Sequence, residues 1–187
     1  MTNLLIILTV LSSFLANLET KTLQSDFTVT VAEEVNAPLN YPGTITVHGR
    51  LFRLSAFDLD AAYDGKTLYM YSAQTDELTL SNPSEQELYE ANPFLFAKAI
   101  AESCNVTERP LQDGQLTLLT LTPKDASAGI DRFTLKVRNS DLIPLEATIK
   151  EGKKLTTLKL NNPVFLTSEP DYLIRPESTT FVNDMRF

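Results

Sequence analysis

The sequence predicts a mainly β fold, one strongly curved antiparallel sheet with helices packed against its concave side. Three observations carry this expectation. Roughly ten or eleven short segments alternate apolar and polar residues with turn signals between them, the pattern of a sandwich or barrel rather than of a parallel sheet. One insert, from Ser84 to Cys104, breaks that alternation and carries helix-start signals. Its apolar residues Leu88, Phe94, Leu95, Phe96 and Ile100 exceed what one short helix can hide, so the insert needs a surface to cover.

Taken in order, the chain opens with Leu4 to Leu15, LLIILTVLSSFL, too short and too interrupted by Thr and Ser for a membrane span of about 20 apolar residues. Two readings fit residues 1–16. As a signal peptide the segment would end near Ala16, although a basic n-region is missing and bulky Phe14 stands close before the cut. As an N-terminal lid helix it places Leu4, Ile7, Leu8, Leu11, Phe14, Leu15 and Leu18 at helical spacing. No Cys lies near either boundary, so the chain is not itself N-terminally lipidated.

From Phe27 the apolar period falls from about 3.6 to 2. Phe27 to Val31 reads as a strand and Asn36 to Gly43 as a turn-forming stretch. Ile45–Val47, Phe52–Ala56 and Leu59–Tyr63 read as successive strands, and Asp64-Gly65 as a tight hairpin turn because Gly tolerates positive φ. Thr67–Tyr71 and Glu77–Leu80 follow. In the insert, Ser84 with Glu87 forms a capping-box pattern, and Asn92-Pro93 starts a second helix. After Gly114 the strands resume as Leu116–Thr122, Arg132–Arg138, Leu145–Lys150, Lys154–Leu160 and a last one near Thr180–Phe187.

Composition narrows the function. The 187 residues, 43% of them hydrophobic, suffice for one core and are read as a single domain, 1–187. With 16 Lys+Arg against 24 Asp+Glu, a net charge of -8 and no basic stripe, a nucleic-acid partner is not expected. The lone Cys104 supports neither a disulfide framework nor a zinc site, and reads as a small buried hydrophobe. The only His, His48, has no G-x-S-x-G or other nucleophile motif to serve. Gly65-Lys66-Thr67 lacks the earlier Gly of a phosphate-binding loop, where Asp60 stands. Asp58/Asp60 and Glu33/Glu34 read as turn and strand-face charges rather than as a glycosidase pair. No enzyme activity, cofactor or metal is therefore expected. A curved sheet with apolar inward positions either fills itself or leaves room for a ligand, and both options stay open.

The run Gly43 to Arg53, followed by Asp64-Gly65-Lys66-Thr67-Leu68-Tyr69-Met70-Tyr71 and then Asn92-Pro93-Phe94-Leu95 in the helical insert, resembles the outer-membrane lipoprotein carrier family, LolA. Leu121 to Lys124 and Phe133-Thr134-Leu135 resemble its second half, so order and spacing hold over about Leu18 to Leu160. The resemblance implies an unclosed β-barrel lidded by helices. It also implies a monomeric periplasmic carrier that binds the acyl chains of lipoproteins. Its partners would be acylated lipoproteins, a LolCDE-like inner-membrane lipoprotein-releasing ABC transporter and an outer-membrane acceptor. Alternatives are a LolA-fold protein for another lipid and a periplasmic lipoprotein sensor. Candidate cavity-wall residues are Ile45, Val47, Phe52, Leu54, Leu68 and Met70. Candidate lid residues are Leu88, Phe94, Leu95 and Ile100, joined by Leu8, Leu11, Phe14 and Leu15 if the first segment is retained. Where the family has Arg-Pro, with the arginine helping to hold the lid shut, this chain has His48-Gly49, so His48 is the candidate for lid control. Leu54 and Tyr69 fill the family's Trp positions.

Overall fold

The computed structural model describes residues 9–34, 36–125, 129–168 and 171–186. Leu4, Ile7 and Leu8 of the expected first helix, and Phe187 of the expected last strand, lie outside the described residues. Helix α1 (Thr9–Thr20) leads into strands β1 (Thr22–Glu33), β2 (Asn36–His48), β3 (Leu51–Ala56), β4 (Leu59–Tyr63), β5 (Leu68–Ser72) and β6 (Glu77–Ser81). Helices α2 (Glu85–Ala91) and α3 (Pro93–Ala101) follow, then β7 (Cys104–Leu111), β8 (Leu116–Pro123), β9 (Arg132–Arg138), β10 (Ile143–Glu151), β11 (Lys154–Leu166) and β12 (Phe181–Asp184). Among the described residues no helix is long and apolar enough to cross a membrane.

The twelve strands of the described residues form one sheet in the order β12-β6-β5-β4-β3-β2-β1-β11-β10-β9-β8-β7. The edge strands β12 and β7 do not pair, so the sheet curves without closing. Neighbours run antiparallel except β12, which pairs parallel to β6. Register shifts fall at Gln24/Asp26 opposite β11, at Val31/Glu33 opposite β2 and at Pro144/Glu146 opposite β9. Such extra residues bend a strand and increase its twist, which a long sheet needs in order to wrap. At the first of them Asn162 adopts φ 55, and Ser25 Oγ donates to the Asn161 carbonyl at 2.9 Å.

The period-two pattern sends one set of side chains to the face that carries the helices. Leu23 and Phe27 of β1, Ile45 and Val47 of β2, Phe52 of β3, Leu119 and Leu121 of β8, Phe133 and Leu135 of β9, and Leu158 and Leu160 of β11 are buried there. Helix α1 adds Leu11, Phe14 and Leu18, and α3 adds Phe94, Leu95 and Ala97. Phe14 meets Phe94 edge-on at 5.8 Å, and Phe96 meets Phe133 likewise at 5.8 Å. The alternate residues Ala62, Leu78 and Leu80 form a small second cluster with Ile174 of the segment that follows β11.

Local chemistry sets the element ends. Ser84 and Glu87 close a reciprocal capping box at α2. Asn92 Oδ1 accepts from the N–H groups of Phe94 and Leu95 at 3.0 and 3.4 Å, with Pro93 filling the first helical position. The Asp64-Gly65-Lys66-Thr67 turn is built on one carboxylate. Asp64 Oδ1 accepts from the backbones of Lys66 (2.9 Å) and Thr67 (2.7 Å), Oδ2 accepts from Tyr69 Oη (3.0 Å), and Gly65 takes φ 98.

Two stretches differ from the sequence expectation. Asn36 to Gly43 is not a turn: it belongs to β2 and pairs with β1 from Glu33↔Asn36 onward. Only Gly43 to His48 also pairs with β3, so Pro38 and Pro42 lie where β2 has a free edge, the setting in which a strand tolerates proline. Cys104 does not end the helical insert, which stops at Ala101. It begins β7, an edge strand whose polar residues, and whose Glu108 on the inner face, mask the alternation.

A candidate apolar binding cavity

The helices cover only part of the inner face, and what they leave is a cavity of about 520 Å³. Its sheet wall comes from Phe27 and Val29 of β1, Ile45 of β2, Leu54 and Ala56 of β3, Ala147 and Ile149 of β10, and Thr156 and Leu158 of β11. Among the described residues the helical side contributes Ala91 and Pro93, which flank the α2–α3 junction. Tyr41, Phe57 and Leu59 complete the lining, and Phe57 is 68% exposed, which marks the mouth. Among the described residues none of the lining carries a charge, and Thr156 and Tyr41 bring its only side-chain hydroxyls. This volume is that of a small-ligand site, and an apolar lining without a charged anchor suits a hydrocarbon chain.

One glycine shapes the wall. Gly43 lies between Phe27 of β1 and Ala56 of β3 in register, and a Cβ there would stand 2.4 Å from Phe27 Cζ and 2.3 Å from the Ser55 carbonyl oxygen. Only a residue without a side chain lets the Phe27 ring lie over the backbone and enter the cavity wall.

Register places the six candidate wall residues on one face, in the rows Val47↔Phe52↔Tyr63↔Leu68 and Ile45↔Leu54↔Ala61↔Met70. Ile45 and Leu54 line the cavity. Val47, Phe52 and Leu68 do not, being buried in the filled core with α1 and α3. Met70 also falls outside the lining and is 40% exposed. Periodicity identifies a face but not how far along the strands the helices fill it. The lid candidates shift for the same reason: Leu88, Phe94 and Leu95 are buried in the core with Leu11 and Phe14, while Ile100 and Leu15 pack half-buried at its margin. None of them lines the cavity.

The His48 ring is hydrogen-bonded to the start of β1. Its Nδ1 stands 3.3 Å from Thr22 Oγ1, which donates to the Ser168 carbonyl at 2.9 Å. The contacts from this turn to the helices come from its neighbours, which sequence reasoning missed. Gly49 N–H donates to the Leu18 carbonyl of α1 at 2.5 Å, and the Arg50 guanidinium pairs with Glu85 of α2. Glu85 also accepts from Tyr89 Oη at 3.0 Å. The Arg50 bond, followed by that of Tyr89, holds the Glu85 carboxyl below its ordinary range. Lys98 of α3 pairs with Glu19 of α1 at 2.7 Å. Both ion pairs are solvent-exposed and contribute little, so apolar contacts hold the helices down. At the other end of α1 the Glu108 carboxyl of β7 faces the backbone N–H groups of Val10 and Leu11, which favour its charged form, while its Oε1 is buried without a hydrogen-bond partner among the described residues. Burial is the larger effect and raises that carboxyl above the ordinary range. Cys104 is buried, and burial pushes its thiol up.

Fold and cavity together define a class: an unclosed, helix-lidded β half-barrel with an apolar cavity between sheet and helices. LolA-superfamily proteins are among its structural neighbours. No family model matches the chain, and no curated protein matches it. Among solved structures it is similar to an uncharacterized conserved protein from Thermus thermophilus. That pair shares 15% identity over 93% of this chain and 96% of the other, with a TM-score of 0.62. It is also similar to a chain of the Pseudomonas aeruginosa MucA/MucB complex, at 14% identity and a TM-score of 0.52 over 89% of this chain and 59% of that one. A LolA superfamily protein from Nitrosomonas europaea is similar at 12% identity over 85% of this chain and 94% of that one, with a TM-score of 0.42. At these identities the likeness is one of fold.

Proposed function

We propose that this protein is a periplasmic carrier that takes the acyl chains of a lipoprotein into its cavity and passes them from the inner to the outer membrane. The donor is a LolCDE-like transporter and the receiver an outer-membrane acceptor. The observation that carries this reading is the cavity of about 520 Å³ whose lining, among the described residues, is uncharged and almost wholly apolar. Each methylene moved from water into such a site gains about 0.8 kcal/mol. Ten methylenes therefore supply roughly 8 kcal/mol, which corresponds to micromolar affinity before ordering costs. In this reading the protein acts by binding and release, without a chemical step.

In this reading α1 is retained as part of the lid, because Leu11, Phe14 and Leu18 fill the trough beside α3. Release is reversible because the helices are held mainly by apolar contacts that a ligand can exchange for its own. A second reading, carriage of a free lipid, is favoured by the size of the cavity, which suits fewer chains than a multiply acylated protein presents unless the helices move. The test is a release assay. Inner-membrane vesicles containing the transporter and an acylated lipoprotein are incubated with ATP and this protein. A soluble complex of lipoprotein and protein is expected. Failure to release any lipoprotein, together with uptake of free phospholipid or fatty acid, would replace the first reading by the second.

A further inference from the structure

We propose that Phe57 is the retention residue of the cavity, the side chain that lies over a bound apolar chain at the mouth and slows its escape. This rests on the binding reading above. Phe57 occupies the first position of the two-residue loop joining β3 to β4, with Ala56 and Leu59 paired across it. Its φ is 57, the left-handed region. Hairpins of this length need positive φ at that position and strongly favour Gly, Asn or Asp there, whereas a bulky aromatic is a conformational outlier.

The ring that bears this strain is 68% exposed, so the empty protein gains little apolar burial from it. Its ring contact is with Tyr41, edge-on at 4.9 Å, and both residues line the cavity. A glycine would serve the turn better and would leave the mouth open. A strained backbone that holds an exposed aromatic side chain beside an apolar cavity is the combination in which local strain accompanies function. The contact that compensates it comes from the ligand: a chain leaving the cavity has to pass the Phe57–Tyr41 pair, and while bound it covers the exposed ring.

The test separates stability from retention. Fluorescently labelled palmitate is loaded onto the wild-type protein and onto Phe57→Gly and Phe57→Asn, two replacements that tolerate positive φ. Dissociation is followed by stopped flow with excess unlabelled palmitate, and thermal unfolding is measured without ligand. Both variants are expected to unfold at the wild-type temperature or above it. Both are expected to release the probe roughly two- to tenfold faster, the range to which one aromatic contact corresponds. Wild-type release rates in both variants would overturn the role of Phe57 and leave the cavity reading standing. A lowered unfolding temperature in both variants would make Phe57 a structural residue and equally overturn its role. Failure of the wild-type protein to load the probe would overturn the cavity reading and the role of Phe57 with it.

Discussion

Replacing Ala147 with leucine should fill part of the cavity and so separate the protein's stability from its capacity to bind. Ala147 lies near the middle of β10, buried, in register with Leu135 and Leu158, and its methyl group forms part of the cavity wall. Leucine adds three carbon atoms, which at about 0.8 kcal/mol each gain roughly 2.4 kcal/mol when buried. Restricting the new side chain costs about 0.5–1 kcal/mol, leaving a net gain of about 1.5–2 kcal/mol. For a protein of this size each kcal/mol moves the unfolding temperature by about 2–4 °C, so calorimetry should show a rise of roughly 3–8 °C. Palmitate affinity, measured by fluorescence titration, should fall by about tenfold or more, since losing two methylenes' worth of contact already costs about 1.6 kcal/mol. A lowered unfolding temperature would mean that the space is not available to a side chain. A stabilised variant with unchanged affinity would place the ligand elsewhere. Either result would refute the reasoning.

Three further substitutions test parts of the structure. Gly43→Ala should destabilise by about 1–3 kcal/mol in chemical denaturation, because the Ser55 carbonyl that a Cβ would meet at 2.3 Å is backbone and cannot move aside as a side chain can. Asp64→Ala should cost about 1–3 kcal/mol by removing the acceptor for Lys66, Thr67 and Tyr69. Burial opposes ionisation of Asp64, but those three bonds prevail and hold its carboxyl below the usual aspartate value. Its contribution is therefore full above that value and lost as pH falls through the lowered one, so denaturation of the variant should show a shallower acid limb. Glu108 has the opposite sign. Its carboxyl is raised by burial, so the native state binds the extra proton and stability declines as pH rises from the ordinary glutamate value through the raised one. Glu108→Gln keeps the shape and polarity of the side chain without its charge and should unfold at a higher temperature than wild type at neutral pH, with the gap closing on acidification.

Much of the sheet is legible in the sequence because alternation is a local property. Phe52–Ala56, Leu59–Tyr63 and Arg132–Arg138 each present apolar side chains to one face with polar or small residues between them. The helix starts at Ser84 and Asn92 are legible for a related reason, since a cap is chemistry between residues a few positions apart. What stays hidden depends on distant partners. Asn36 to Pro42 joins β2 only because β1 is long enough to pair with it, and Cys104 to Leu111 is a strand only because β8 lies beside it. For the same reason Ile45 and Val47, two residues apart on one face, have different fates: one lines the cavity and the other lies in the filled core. Phe57 offered no signal, because a phenylalanine at a position that favours glycine looks like any strand residue. Arg50 offered no local signal either, because its partner Glu85 lies 35 positions further along the chain.

Native mass spectrometry of the protein released gently from the cell envelope, without detergent, tests the central claim most directly. The carrier account predicts a one-to-one complex with an acylated lipoprotein that dissociates on adding detergent, and a first residue that keeps Phe14 in the chain. A bare chain that also takes up neither lipoprotein nor fatty acid when these are supplied would contradict it.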